Sequence, residues 1–179
     1  MKLNIGCGLG RLDGYVNVDI SPAVDPDIVL DACTPWPWDD GTISEVQAIH
    51  VLEHMANLNG FMVEAYRCMA DGAELRIVVP HPRHDCFLGD PTHVRPIIEG
   101  TLHLYDRALC QQWRDEGYSN TPLALMLGVD FRTVHALAVL EPDWEEIGRR
   151  EPERLKFAMR HYNNVISQLE FVLRKVGNG

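Results

Sequence analysis

The chain has 179 residues, 46% of them hydrophobic, which suits one domain (1–179) with a real core. Its formal charge of −10, from 16 basic and 26 acidic residues, argues against unaided binding to nucleic-acid phosphates and is the ordinary surface of a soluble protein. Five cysteines without a CxxC pair, no signal-peptide run and no apolar stretch of membrane-spanning length lead to the expectation of a cytoplasmic protein without a disulfide framework or a membrane partner.

Short apolar runs alternate with turn clusters along the first half. Residues 2–5 read as a buried strand entering a glycine turn. A second strand spans 15–20 and stops at Ser21-Pro22, a third spans 27–30, and a fourth spans 45–49 after the turn Asp39-Asp40-Gly41-Thr42. The period then changes: Leu58, Phe61, Met62, Ala65, Tyr66 and Met69 recur at helical spacing, with Asp71-Gly72 as the stop. Residues 75–79 form a β-branched strand of the kind buried on both faces of a parallel sheet.

Residues 82–96 read as irregular, and 101–117 as a helix ending at Gly117. Two long β-branched runs, 131–140 and 165–176, enclose a charged helical segment at 143–162. This late pair predicts an antiparallel hairpin closing a mostly parallel sheet. Trp36 and Trp38 read as braces for strand four, and Trp113 and Trp144 as helix packing anchors.

The first strand ends Asn4-Ile5-Gly6-Cys7-Gly8-Leu9-Gly10 and the second ends Asn17-Val18-Asp19-Ile20. Glycines after strand one let the backbone approach a ligand closely with its N–H groups exposed. A carboxylate at the tip of the next strand accepts hydrogen bonds from both hydroxyls of a ribose. Together they point to an adenosine-containing ligand at the carboxyl ends of the strands. The plain alternative is a glycine turn beside a solvated aspartate.

With Gly14-Tyr15-Val16-Asn17-Val18-Asp19, Val29-Leu30-Asp31-Ala32, Trp36-Pro37-Trp38-Asp39-Asp40-Gly41 and His50-Val51-Leu52-Glu53-His54, the first 80 residues resemble the class I S-adenosylmethionine-dependent methyltransferases. They are similar to a compact group reading LNIGCG, GYVNVD and HVLEH in that order. The resemblance implies an α/β, Rossmann-like methyltransferase sandwich with strand order 3-2-1-4-5-7-6 and strand seven antiparallel. It implies S-adenosylmethionine as cofactor, with Gly6, Cys7 and Gly8 around its methionine part and Asp19 on the ribose. Ile20 would pack on the adenine, Asp31 and Ala32 would meet the adenine edge, and His50 would lie beside the sulfonium. Asn4 occupies a cofactor-binding position where many relatives have Asp. Only residues 9–14 join strands one and two, so the first crossover helix must be nearly absent.

The implied activity is methyl transfer to a small-molecule or sugar-like acceptor. Asp90 and His93, in a segment resembling the D-P-T-H of some compact methyltransferases, are candidates for binding the acceptor, and His50 or His93 for the base. A non-catalytic binding module on the same scaffold is the alternative that Asn4 and the short crossover favour. A nicotinamide-cofactor domain also places an acid after strand two, but its glycine motif normally opens a helix.

HVLEH also matches H-x-x-E-H, the inverzincin peptidase signature. That signature needs the whole pentad in one helix, whereas His50 here closes a strand. The loop from His81 to His93 brings three histidines, Cys86, Asp85 and Asp90 together in sequence, and a zinc-binding use of it is a further alternative. Its spacings match no zinc-finger pattern, so the expectation is an acceptor-binding loop and no metal.

Overall fold

The structure is a computed structural model, and it describes residues 1–177. Seven strands form one sheet: β1 (Lys2–Ile5), β2 (Val16–Asp19), β3 (Ile28–Val29), β4 (Ile43–Ile49), β5 (Met69–Pro80), β6 (Phe131–Leu140) and β7 (Ile166–Lys175). Their order is β3-β2-β1-β4-β5-β7-β6. The first five pair in parallel, and β7 runs antiparallel to both β5 and β6. This is the order and polarity that the resemblance implies. No helix among the described residues is long and apolar enough to cross a membrane.

The period of two along each strand separates the faces of the sheet. Leu3, Ile5, Val18, Val46, Ala48, Leu75, Ile77, Phe171 and Leu173 are all buried and share one core cluster with Leu58, Phe61 and Met62 of helix α1 (Leu58–Cys68). Fully burying a side chain of this size contributes roughly 1.5–3 kcal/mol. Most of the alternate residues are polar, Ile49, Val78 and Val172 being apolar exceptions. Lys2–Glu45 at 2.8 Å, Glu45–Arg76 at 3.3 Å, Arg76–Glu74 at 3.2 Å and Glu74–Arg174 at 3.0 Å form a ladder across β1, β4, β5 and β7. The Arg76 side chain is 49% exposed, so 75–79 is not buried on both faces as its apolar character predicts.

Local breaks also differ from the sequence reading. Helix α1 ends at Cys68, and β5 begins at Met69, opposite Ile43. The register then shifts so that Glu74 meets Glu45, and Gly72, at φ +78°, lies within the bulged residues. The single helix expected over 101–117 is two, α3 (Glu99–His103) and α4 (Arg107–Asp115), following a short helix α2 (Asp85–Leu88) in the stretch read as irregular. Asp106 starts α4 by accepting the Leu109 N–H at 3.0 Å, an N-cap that a helix interior would not allow. A short helix, α5 (Leu123–Leu127), was not anticipated. Residues 143–162 divide into α6 (Pro142–Arg150) and α7 (Pro152–His161), because Pro152 drives Glu151 to an extended φ of −134°.

The connection from β1 to β2 contains no helix, as its length requires. Side-chain amides hold it instead. Asn4 and Asn17, 4% and 3% exposed, join at 2.9 Å from Asn4 Nδ2 to Asn17 Oδ1. Asn4 Nδ2 also donates to the Gly10 carbonyl at 3.0 Å, and Asn17 Oδ1 accepts the Leu12 N–H at 2.8 Å. The Asn17 amide donates in turn to the Leu12 carbonyl at 3.2 Å and to Asp27 Oδ2 at 3.1 Å. Loop backbone groups that a crossover helix would pair internally are thus satisfied by buried side chains.

A cleft at the strand ends and an adjoining cavity

The turn after β1 is shaped by one glycine above all. Gly6 has φ +65°, and a Cβ there would collide with the Val51 side chain. Backbone conformation and close packing both exclude a larger residue. Cys7 N–H then bonds the Val18 carbonyl at 3.0 Å, which keeps the turn against β2.

This turn forms one wall of a cleft of about 730 Å³. The cleft spans the carboxyl ends of β1, β2, β3 and β4, where the strand order reverses between β1 and β4, the usual ligand position in such sheets. Gly6, Gly8, Asp19, Ile20, Asp31, Ala32 and His50 all line it. The Asp19 carboxylate accepts the Gly8 N–H on Oδ2 and the Ser21 N–H on Oδ1, each at 2.8 Å. Each oxygen keeps one lone-pair direction for a ligand hydroxyl. Asp31 Oδ1 accepts the Cys33 N–H at 2.9 Å, leaving Oδ2 for a donor in the cleft. Ile20 is 66% exposed, an apolar surface on which a flat ring system can rest.

Two residues of the cofactor set lie behind the cleft wall. Asn4 is committed to the loop amides described above. Cys7 is buried, and burial pushes its thiol up from the ordinary value, so it is a neutral packing group.

His50 follows β4 at φ +52°, an uncommon conformation for a residue with a side chain, while its N–H continues the ladder to the Val78 carbonyl at 2.8 Å. Leu52–His54 then form a single 3₁₀ turn, too short to carry the inverzincin pentad on one helix. His50 and His54 also line a second cavity, of about 380 Å³, together with His84, Cys86, Asp90, His93 and Glu141. The two cavities therefore share a wall made by HVLEH.

Within the loop that follows β5, the polar residues are not equivalent. His84 caps α2 by accepting the Cys86 N–H on Nδ1 at 3.0 Å, and its Nε2 bonds Glu141 at 2.9 Å. Asp90 Oδ1 receives both the N–H and the hydroxyl of Thr92, at 2.8 and 2.6 Å, and these bonds lower its pKa below the usual carboxylate value. Thr92 Oγ1 in turn meets His54 Nδ1 at 2.9 Å. Sequence reasoning considers Glu53 and His54 as site residues only within the peptidase pattern that it sets aside, and Thr92 only as part of the D-P-T-H segment. The signal was present, since HVLEH stood out as a pattern, but its contact with the later loop has no local signature.

Solved structures with the same architecture include a SAM-dependent methyltransferase from Archaeoglobus fulgidus, at 21% identity and TM-score 0.61 over 97% of this chain and 85% of that chain. Another, from Mesorhizobium loti, matches at 15% identity and TM-score 0.54 over 97% of this chain and 90% of the other. This chain has the fold of the class I S-adenosylmethionine-dependent methyltransferases. The methyltransferase fold does not by itself decide the reaction: the [4+2]-cyclase SpnF matches at 17% identity and TM-score 0.60 over 98% of this chain and 75% of its own. No family model and no curated protein sequence matches the chain.

Proposed function

We propose that this single-domain chain transfers a methyl group from S-adenosylmethionine to a small-molecule or sugar-like acceptor bearing a hydroxyl or amine. The observation that carries this reading is Asp19, fixed by two backbone N–H groups at the tip of β2 with lone pairs directed to a cleft of cofactor size. When bound, S-adenosylmethionine supplies an electrophilic methyl that is displaced in line: the acceptor lone pair forms the new bond, the sulfur–carbon pair returns to sulfur, and the acceptor proton leaves.

The chain's own part in this is alignment. Gly6 and Gly8 bring backbone against the methionine part, Asp19 holds the ribose, and Ile20, Asp31 and Ala32 receive the adenine. His50 stands at the wall shared with the second cavity, where Asp90 and His93 hold the acceptor and one imidazole takes its proton. Asn4 does not weaken this reading, because its side chain serves the loop and not the ligand.

Calorimetry with S-adenosylhomocysteine tests the assignment. Wild-type chain should bind it, and Asp19→Ala should lose tenfold or more in affinity, since charged hydrogen bonds of this kind contribute about 1.5–3 kcal/mol each. Absence of binding by the wild type, or unchanged binding by the variant, would sink the reading. His93→Ala should leave that affinity in place and reduce methylation about 10²–10⁴-fold once an acceptor is found by screening hydroxyl and amine compounds.

A further inference from the structure

Glu53 is 1% exposed, and neither carboxylate oxygen has a hydrogen-bond partner among the described residues. Its nearest basic side chain among the described residues is His50, with Nδ1 3.7 Å from Oε1, beyond hydrogen-bonding distance. A carboxylate desolvated to this degree without compensation is costly, and buried polar groups in folded proteins almost always have partners. Where the protein supplies no partner, an ion or water ordinarily does.

The surroundings say what kind. One ligand atom from each of Glu53, His54 and His93 lies within 4.8 Å of the other two. The two imidazole rings meet edge to face, with centroids 4.6 Å apart. Their outer hydrogen bonds fix both tautomers. His93 Nδ1 faces the Phe87 carbonyl at 2.8 Å, and because a carbonyl only accepts, that nitrogen carries the proton. The lone pair of His93 is then on Nε2, whose nearest acidic neighbour, Asp90 Oδ2, is 3.8 Å away.

His54 reaches the same state by one more link. The single hydroxyl proton of Thr92 goes to Asp90 Oδ1 at 2.6 Å, so Thr92 Oγ1 must accept from His54 Nδ1 at 2.9 Å. His54 therefore also keeps its lone pair on Nε2. Metal-binding histidines commonly have this arrangement, with one ring nitrogen donating to a carbonyl or a carboxylate-linked group and the other left to the ion.

We propose that Glu53, His54 and His93 form a binding site for one divalent first-row transition ion, with Zn²⁺ as its probe. Two imidazoles and one carboxylate make a donor set suited to zinc and its neighbours, and three protein ligands leave at least one position open. Bonds of about 2.0–2.2 Å place ligand atoms roughly 3–4 Å apart, so the ion would draw the cluster slightly together. His54 belongs to the walls of both cavities, so an oxygen of a molecule in the second cavity could take the open position. That last consequence rests on the methyl-transfer reading, and with the ion bound the base would be His50, because both nitrogens of His93 are then committed; the ion site itself does not rest on that reading.

The test uses the full chain, stripped with chelator and titrated with Zn²⁺ in a calorimeter. One equivalent should bind. Glu53→Gln and His93→Ala should each weaken binding at least about 100-fold, with folding checked by circular dichroism. Thr92→Val should weaken it about 10–100-fold, as loss of an outer-shell partner does, and Thr92→Ser should restore it. His103→Ala, on α3 and outside the cluster, should bind as the wild type does. In the wild type itself, imidazole ¹⁵N resonances should show Zn²⁺ on Nε2 of His54 and His93 with Nδ1 still protonated. No binding, binding undiminished in folded Glu53→Gln and His93→Ala, or coordination through other histidines would overturn the proposal. S-adenosylhomocysteine affinity, measured separately on metal-free chain, keeps the two readings apart: zinc binding without cofactor binding upholds the ion site and removes the methyl-transfer function.

Discussion

Asn4 and Asn17, under the glycine turn, and Glu53, between the two cavities, are all at most 4% exposed, yet their polar atoms are treated in opposite ways. The asparagine amides are tied to each other and to the loop they support. The Glu53 carboxylate has no hydrogen bond among the described residues. A saturated buried network belongs to the scaffold, because every group that lost water has found a protein partner. An unsaturated buried group beside a cavity is a cost that a bound ligand can offset, which makes the two regions separable by experiment.

The largest effect is expected from breaking the saturated side. Asn17→Ala leaves Asn4 Nδ2 with one fewer acceptor and strips partners from the Leu12 N–H and carbonyl, each worth about 1–3 kcal/mol when buried. Urea unfolding should show a loss of about 3–5 kcal/mol. Next comes Gly6→Ala, which forces a side chain into the left-handed region at a cost of about 1–2 kcal/mol and against Val51. Both stability and S-adenosylhomocysteine affinity should fall, and the double variant with Val51→Ala should recover only the part due to the collision.

The unsaturated side should respond with the opposite sign. In metal-free chain Glu53→Gln removes a buried carboxyl group that has no hydrogen bond to lose among the described residues, so thermal unfolding should hold or move upward. Added Zn²⁺ should stabilise the wild type and leave the variant where it was. A loss of stability in metal-free Glu53→Gln would mean that the carboxylate already has a structural partner.

The smallest effect concerns the edge of the asparagine network. The Asn17 backbone N–H, with Arg11 and the Asn17 amide behind it, holds the Asp27 carboxyl down at about 2, from an ordinary 3.8. A carboxyl depressed in the folded state contributes stability that is complete above its unfolded value and disappears as the folded pKa is crossed. That contribution should be present above about pH 4 and vanish toward pH 2. Asp27→Asn should lower the pH–stability curve above about pH 4 and flatten its acid limb between about pH 4 and pH 2.

Much of the fold was legible because its signals are local. The glycines after β1, the β-branched run of β5 and the late strand pair are each read within a few residues. Helix breaks were less legible. Asp106 looks like an ordinary helical residue until its carboxylate is seen capping α4, and the bulge in β5 depends on where β4 offers a partner. Arg76 could not be placed on an open face from its apolar neighbours, since that depends on which crossovers bring helices.

By itself the sequence determined the strands, the glycine turn and the position of Asp19, because backbone conformation and alternating burial are set by neighbours along the chain. Only the tertiary structure decided what Asn4 does and what Glu53 lacks. Asn4 resembles a ligand-binding position in the linear pattern, but packing puts Asn17, 13 positions away, against its amide. HVLEH and the loop after β5 look like two unrelated motifs until β4 and β5 pair and set Thr92 against His54, 38 positions apart. Hydrogen-bond satisfaction is a property of the whole folded surroundings, and no spacing along the chain records it.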